Sequence, residues 1–132
     1  METPRILCVD DEKVPLLMRA LVLEKAGFQV LTSSSGPEAL SVLRTRPIDV
    51  VLSDQLMPEM TGTELARAIK KEFKGIPVVI LSGVNELPDG MEFVDLFLSK
   101  LDGPTALCQR LSEMVTLKLH SELKGFRNSQ VC

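Results

Sequence analysis

Long apolar runs are missing from this chain. No stretch approaches the roughly 20 residues that a membrane-spanning helix needs, so an integral membrane protein is not expected. Positive charge is not in excess either: fifteen Lys and Arg stand against eighteen Asp and Glu, for a net charge of −3. With no Lys/Arg run as well, a nucleic-acid groove built on bulk positive charge is excluded as an expectation. Cysteines are few and odd in number. Cys8, Cys108 and Cys132 are too widely spaced for a disulfide framework or a zinc site, and a reducing cytoplasm is their natural compartment. The one histidine, His120, makes neither a catalytic dyad nor a metal site. The opening METPRILCVDDE reaches acidic residues too early for a secretory signal. No internal repeat or low-complexity tract occurs.

What remains is a 132-residue chain, 45% hydrophobic and 25% charged, enough to bury the core of one domain. Short β-rich runs alternate with longer helical periods. Arg5 to Val9 is an apolar run that stops at Asp10-Asp11-Glu12. Val14, Leu17, Met18, Leu21 and Val22 then recur as one face of a helix, which Gly27 ends. Phe28 to Leu31 predicts a second strand, and Ser35-Gly36-Pro37-Glu38 opens a helix with Ala39, Leu40 and Leu43 buried. Ile48 to Ser53 is a third strand, stopping at Asp54. Gly62 to Phe73 predicts the third helix. Ile76 to Leu81 predicts a fourth strand, ending at Ser82-Gly83. Pro88-Asp89-Gly90 interrupts any long helix before a fifth strand, Phe93 to Leu98. Asp102 caps a last helix through Leu107, Cys108, Leu111, Met114 and Val115, continuing by Leu119 and Leu123 to Gly125. Such alternation implies βαβ crossovers: one doubly wound α/β domain with helices on both faces of a five-stranded parallel sheet.

Ligands of an open parallel sheet bind beyond the carboxyl ends of its strands. The first strand ends at Asp10-Asp11, the third at Asp54, the fourth at Ser82 and the fifth at Lys100, all along one rim. Three carboxylates in one place repel, and such a cluster calls for a cation. All-oxygen ligands with room for waters suit Mg²⁺. With Mg²⁺ and an ammonium balancing the charge, Asp54 could attack phosphorus as aspartyl-phosphate enzymes do, with the metal and Lys100 stabilising the transferred group.

Five stretches carry a family resemblance: Ile6-Leu-Cys-Val-Asp-Asp-Glu12, Asp49-Val-Val-Leu-Ser-Asp54, Leu56-Met-Pro-Glu-Met-Thr-Gly62, Pro77-Val-Val-Ile-Leu-Ser82 and Leu98-Ser-Lys100. In this order, from about residue 4 to 118, the chain resembles a response-regulator receiver domain of two-component signalling. The resemblance implies a flavodoxin-like sheet of strand order 2-1-3-4-5. It makes Asp54 the phosphoacceptor; Asp10, Asp11, Asp54 and the Leu56 carbonyl the Mg²⁺ ligands; and Ser82 and Lys100 the contacts to the phosphoryl group. Ser82 and Phe97 would form the switch, and Pro58 and Gly62 would shape the loop after the acceptor. A histidine kinase or phosphotransfer protein would be the donor, and the switched form would act on a protein target. A homodimer formed on phosphorylation is compatible with this. The receiver would span 1–120, with 121–132 as helix end and tail, a stand-alone domain that catalyses only its own phosphoryl gain and loss.

Lys100 is followed by Leu101 where the family has proline, which predicts a trans bond and an altered aim for the lysine. Only 18 positions separate Ser82 from Lys100, so the fourth helix should be short, displaced or absent. Leu56 and Val84, two positions past site residues, are expected to roof an acyl phosphate and slow its hydrolysis. Three alternative readings come from other classes. One is a pseudo-receiver, a protein-binding module with this fold and without phosphoryl chemistry. Another is a Mg²⁺-dependent phosphatase of aspartyl-phosphate type acting on outside substrates, which needs an acid/base carboxylate where Leu56 stands. A flavodoxin-like FMN carrier would need a Ser/Thr/Gly-rich phosphate loop after the first strand, and none is there.

Overall fold

Five short strands, each rich in Val, Ile and Leu, form one parallel sheet in the order β2-β1-β3-β4-β5. They are β1 Arg5–Val9, β2 Gln29–Ser33, β3 Val50–Asp54, β4 Val78–Ser82 and β5 Leu96–Ser99. The computed structural model describes residues 3–83 and 89–131, with side chains to residue 118. Among the described residues four α-helices alternate with the strands: α1 Lys13–Lys25, α2 Gly36–Thr45, α3 Gly62–Glu72 and α4 Gly103–Val131. Among the described residues no helix is long and apolar enough to cross a membrane.

Both faces of the sheet are covered, which is why β3 and β4 are buried along their whole lengths. On one face Ile6, Cys8, Val50, Leu52, Val79 and Leu81 pack with α1 and α4 through Leu16, Leu23, Leu107 and Leu111. On the other, Leu7, Val9, Val51, Val78 and Ile80 pack with α2 and α3 through Ala39, Leu43, Leu65, Ala66 and Ile69. The two sets alternate along each strand, as a period of two requires.

Helix ends follow their local chemistry. In α1 the Gly27 N–H donates to Glu24 O and the Phe28 N–H to Leu23 O, with Gly27 at φ +102°, a paired closure that only a left-handed residue completes. The Ser35 hydroxyl accepts the Glu38 N–H at the start of α2, and Thr61 and Glu64 form a reciprocal capping box at the start of α3.

The main departures from the sequence reading lie in α1, at the entrance to β5 and at the end of α4. In α1 the face toward the sheet is Leu16, Ala20 and Leu23, whereas Val14, Leu17, Met18 and Leu21 stand exposed, Val14 at 70%. Two apolar stripes compete on this helix, and the sheet takes the one that carries Ala20, which allows close approach. Phe93 does not start β5: Gly90, at φ +89°, leads into a 3₁₀ turn, Met91–Phe93. The strand entrance is then fixed by the Asp95 carboxylate, which accepts from the Val78 N–H at 2.7 Å and from Lys70 Nζ at 2.6 Å. That turn is the only helical element between β4 and β5 among the described residues; residues 84–88, on which the expectation of a short, displaced or absent fourth helix also falls, lie outside them. Asp102 stands directly before α4, where the sequence reading puts a cap, and it also closes a 3₁₀ turn, Lys100–Asp102. Finally α4 runs on to Val131 instead of stopping at Gly125.

Candidate functional site

The sheet order makes β1 and β3 neighbours and places β4 beside β3, so their carboxyl ends form one rim. Asp10 is the first residue past β1, and its N–H donates to Ser33 O at 3.1 Å, pinning it between β1 and β2. Its carboxylate is buried, with 2% exposure, and both oxygens are engaged. Oδ1 accepts the Glu12 N–H at 2.9 Å, and Oδ2 accepts from Arg19 Nη1 at 3.1 Å. Asp54 is the last residue of β3 and pairs in register with Leu81. Asp11 is exposed beside them. One carboxylate oxygen from each of Asp10, Asp11 and Asp54 lies within 4.8 Å of the other two. The donor set is all oxygen and carries three formal negative charges, so it fits a hard dication such as Mg²⁺.

Ser82 and Lys100 come to the same rim through strand register. Ser82 ends β4 one residue beyond the partner of Asp54, is buried, and lies opposite Ser99 of β5. Lys100 follows directly, and its Nζ sits 2.6 Å from Asp54 Oδ1. The expected change of aim is therefore not seen, although Leu101 stands where the family has proline and no cis peptide bond occurs among the described residues. The turn is held instead by the Ser99 hydroxyl, which accepts the Leu101 N–H at 3.1 Å. Phe97 pairs with Ile80 and lies partly buried against the α2–α3 core. The Leu56 side chain is 69% exposed, and Val84 lies outside the described residues.

The loop from Asp54 to α3 is built tightly. Gln55 is buried, its Oε1 accepting the Thr63 N–H at 3.0 Å and its Nε2 donating to Thr63 Oγ1 at 3.2 Å. The Met60 N–H donates to Pro58 O at 2.7 Å around Glu59, whose φ of +68° makes this a γ-turn on a non-glycine residue. Gly62 then returns the chain, its N–H donating to Gln55 O at 2.9 Å. A Cβ there would meet Asp54 O at 2.5 Å, so the acceptor strand and α3 approach at a distance that only glycine allows.

Three contributors escaped the sequence reading: Arg19, the Gln55–Thr63 clamp, and Glu59. Arg19 had a signal, because it sits three residues after Leu16 and four before Leu23, on the stripe that packs against the sheet. An arginine there must find a buried acid. Cys8 lies behind the site in β1, where burial pushes its thiol up to about 12, so it is an inert packing residue.

A family model described as the response regulator receiver domain matches residues 6–112. The transcriptional regulatory protein GlrR of Escherichia coli K12 is 37% identical over 112 residues, which are 82% of this chain and 25% of GlrR, so the chain spans a quarter of that relative's length. A response regulator receiver domain protein from Clostridium thermocellum superposes with a TM-score of 0.80 at 31% identity, covering 87% of this chain and 96% of that one. The response regulator TrrA of Thermotoga maritima, solved in complex with Mg²⁺–BeF, also gives a TM-score of 0.80, at 25% identity over 85% of this chain and 99% of that one. With its sheet order, its acidic rim and these matches, the chain belongs to the response regulator receiver domain family.

Proposed function

We propose that this receiver domain takes a phosphoryl group onto Asp54 from the phosphohistidine of a histidine kinase or phosphotransfer protein, in the cytoplasm, and thereby switches a protein target. The observation that carries this reading is the meeting of three carboxylates within 4.8 Å of one another, with Lys100 on Asp54 at 2.6 Å. In the transfer, an Asp54 oxygen bonds to phosphorus as the donor's P–N bond breaks, and the departing imidazole keeps the electron pair and takes up a proton. Lys100 already sits on the attacking carboxylate and can follow charge onto the phosphoryl oxygens. Ser82, one residue past the register partner of Asp54, would contact the same oxygens, and its movement with Phe97 would be the switch.

Asp10, Asp11, Asp54 and the Leu56 carbonyl are the residues that would hold Mg²⁺, which when bound supplies charge neutralisation and template geometry to the transfer. That the similar TrrA was solved with Mg²⁺–BeF supports this choice of ion. We take the receiver unit as 1–120, with 121–132 as helix end and tail. Incubation with acetyl phosphate and Mg²⁺ tests the reading: intact mass should rise by one phosphoryl group, and the gain should vanish in Asp54→Asn and with EDTA. No gain in the natural chain would instead favour a pseudo-receiver, a binding module without phosphoryl chemistry.

A further inference from the structure

Arg19 is the feature that the receiver chemistry above leaves unused. Its side chain is 11% exposed, and the carboxylate that it pairs with, on Asp10, is 2% exposed. The guanidinium comes from the middle of α1, flanked on its own helix by buried Leu16, Ala20 and Leu23, and reaches the rim at Asp10 Oδ2. The other Asp10 oxygen is occupied by the Glu12 N–H. One member of the proposed metal-binding triad therefore has both oxygens engaged by the protein itself. With Lys100 on Asp54, two fixed positive charges stand against three carboxylates.

We propose that Arg19 is a tethered counter-cation that competes with the divalent ion for Asp10 and sets the affinity of the site for that ion. The inference rests on the reading of Asp10, Asp11 and Asp54 as Mg²⁺ ligands. A dication entering this rim meets a carboxylate that is already neutralised, and like charges repel strongly where water is scarce. Without the ion, Arg19 keeps a buried acid from standing alone, which is costly in a protein interior. With the ion, the guanidinium has room to withdraw. Arg19 lines a groove of about 320 Å³ between α1 and the start of α4, together with Met18, Val22, Lys100, Pro104 and Leu107. Loading and unloading of the metal thus becomes an exchange between a mobile and a built-in cation at one carboxylate.

The test is calorimetric titration of the intact chain with MgCl₂ alone, at fixed pH and ionic strength, with no phosphodonor. Arg19→Met removes both charge and hydrogen bond. Arg19→Gln removes the charge but keeps a donor for Asp10, so it isolates charge from positioning and stands in if Arg19→Met fails to fold. Both should bind Mg²⁺ about tenfold more tightly than the natural chain, equivalent to about 1.4 kcal/mol. Arg19→Lys should restore the natural affinity. The rise in melting temperature on adding Mg²⁺ should be larger in Arg19→Met and Arg19→Gln than in the natural chain. Binding that is unchanged or weaker in both neutral variants would overturn the competition, while leaving the metal site standing. No Mg²⁺ binding by any of the four chains would overturn the metal site itself, and the competition with it.

Discussion

Replacing Gly62 by alanine adds a single methyl group at a close approach of β3 and α3. The new Cβ would lie 2.5 Å from Asp54 O, 2.9 Å from Ile80 Cδ1 and 3.1 Å from Gln55 Oε1. The isoleucine methyl can turn aside, but the Asp54 carbonyl belongs to the backbone at the end of β3, and Gln55 is held by two hydrogen bonds to Thr63. Overpacking against such neighbours costs about 1–3 kcal/mol. At roughly 3–4 °C per kcal/mol for a chain of this length, the melting temperature should fall by about 3–12 °C. The strain falls on the residue proposed to accept the phosphoryl group, so uptake from acetyl phosphate should slow as well. Gly75→Ala is the control. It sits at φ +82° with nothing within 4 Å of its added Cβ, in the connection into β4 at the opposite rim. Its left-handed backbone should cost about 1–2 kcal/mol while uptake is unchanged. Thermal unfolding and the initial rate of mass gain give both quantities on the same samples. A Gly62→Ala protein as stable and as fast as the natural chain would refute the close-approach reasoning.

Further outcomes follow from other parts of the structure. Leu23→Ala should cost about 2–5 kcal/mol and Leu17→Ala less than about 0.5 kcal/mol in urea unfolding, and equal costs would contradict the face that α1 presents to the sheet. Ser99→Ala removes the acceptor for the Leu101 N–H; it should cost about 1 kcal/mol and slow phosphoryl uptake, and an unchanged rate would show that Lys100 is aimed without it. Two surface carboxyls set an acid limit. The Thr61 backbone N–H and then its hydroxyl hold Glu64 below its ordinary 4.5, and hydrogen bonds from Arg44 hold Glu72 below the same value. Because both pKa values are lower folded than unfolded, their stabilisation is complete above pH 4.5 and is lost as pH falls through the lower folded values. Glu64→Gln and Glu72→Gln should each flatten the stability profile below that pH, and identical profiles would count against these contacts.

Much of this molecule was legible because two signals agreed. Strands such as Ile6-Leu-Cys-Val and Val78-Val-Ile-Leu are apolar throughout, as a sheet covered on both faces demands, and each ends abruptly in a residue with chemistry. Register then brings Asp10, Asp54, Ser82 and Lys100 to one rim without further information. What failed did so for identifiable reasons. α1 carries two apolar stripes, and periodicity cannot rank them. The entrance to β5 depends on Asp95 reaching Val78 and Lys70, contacts far apart in the chain. The aim of Lys100 was expected to suffer from the missing proline, but the hydroxyl at Ser99 holds the turn. Arg19 stayed hidden for the same reason as the stripe: its meaning appears only once the buried face of α1 is known.

The central claim is that Asp54, and no other side chain, receives the phosphoryl group. The most direct measurement is to treat the Mg²⁺–acetyl phosphate product with borohydride, which reduces an acyl phosphate to the alcohol, and to map the reduced residue by peptide mass spectrometry. The account predicts homoserine at position 54 alone, dependent on Mg²⁺. Reduction at Asp10 or Asp11, or a phosphoryl group that resists borohydride on a hydroxyl or on His120, would contradict it.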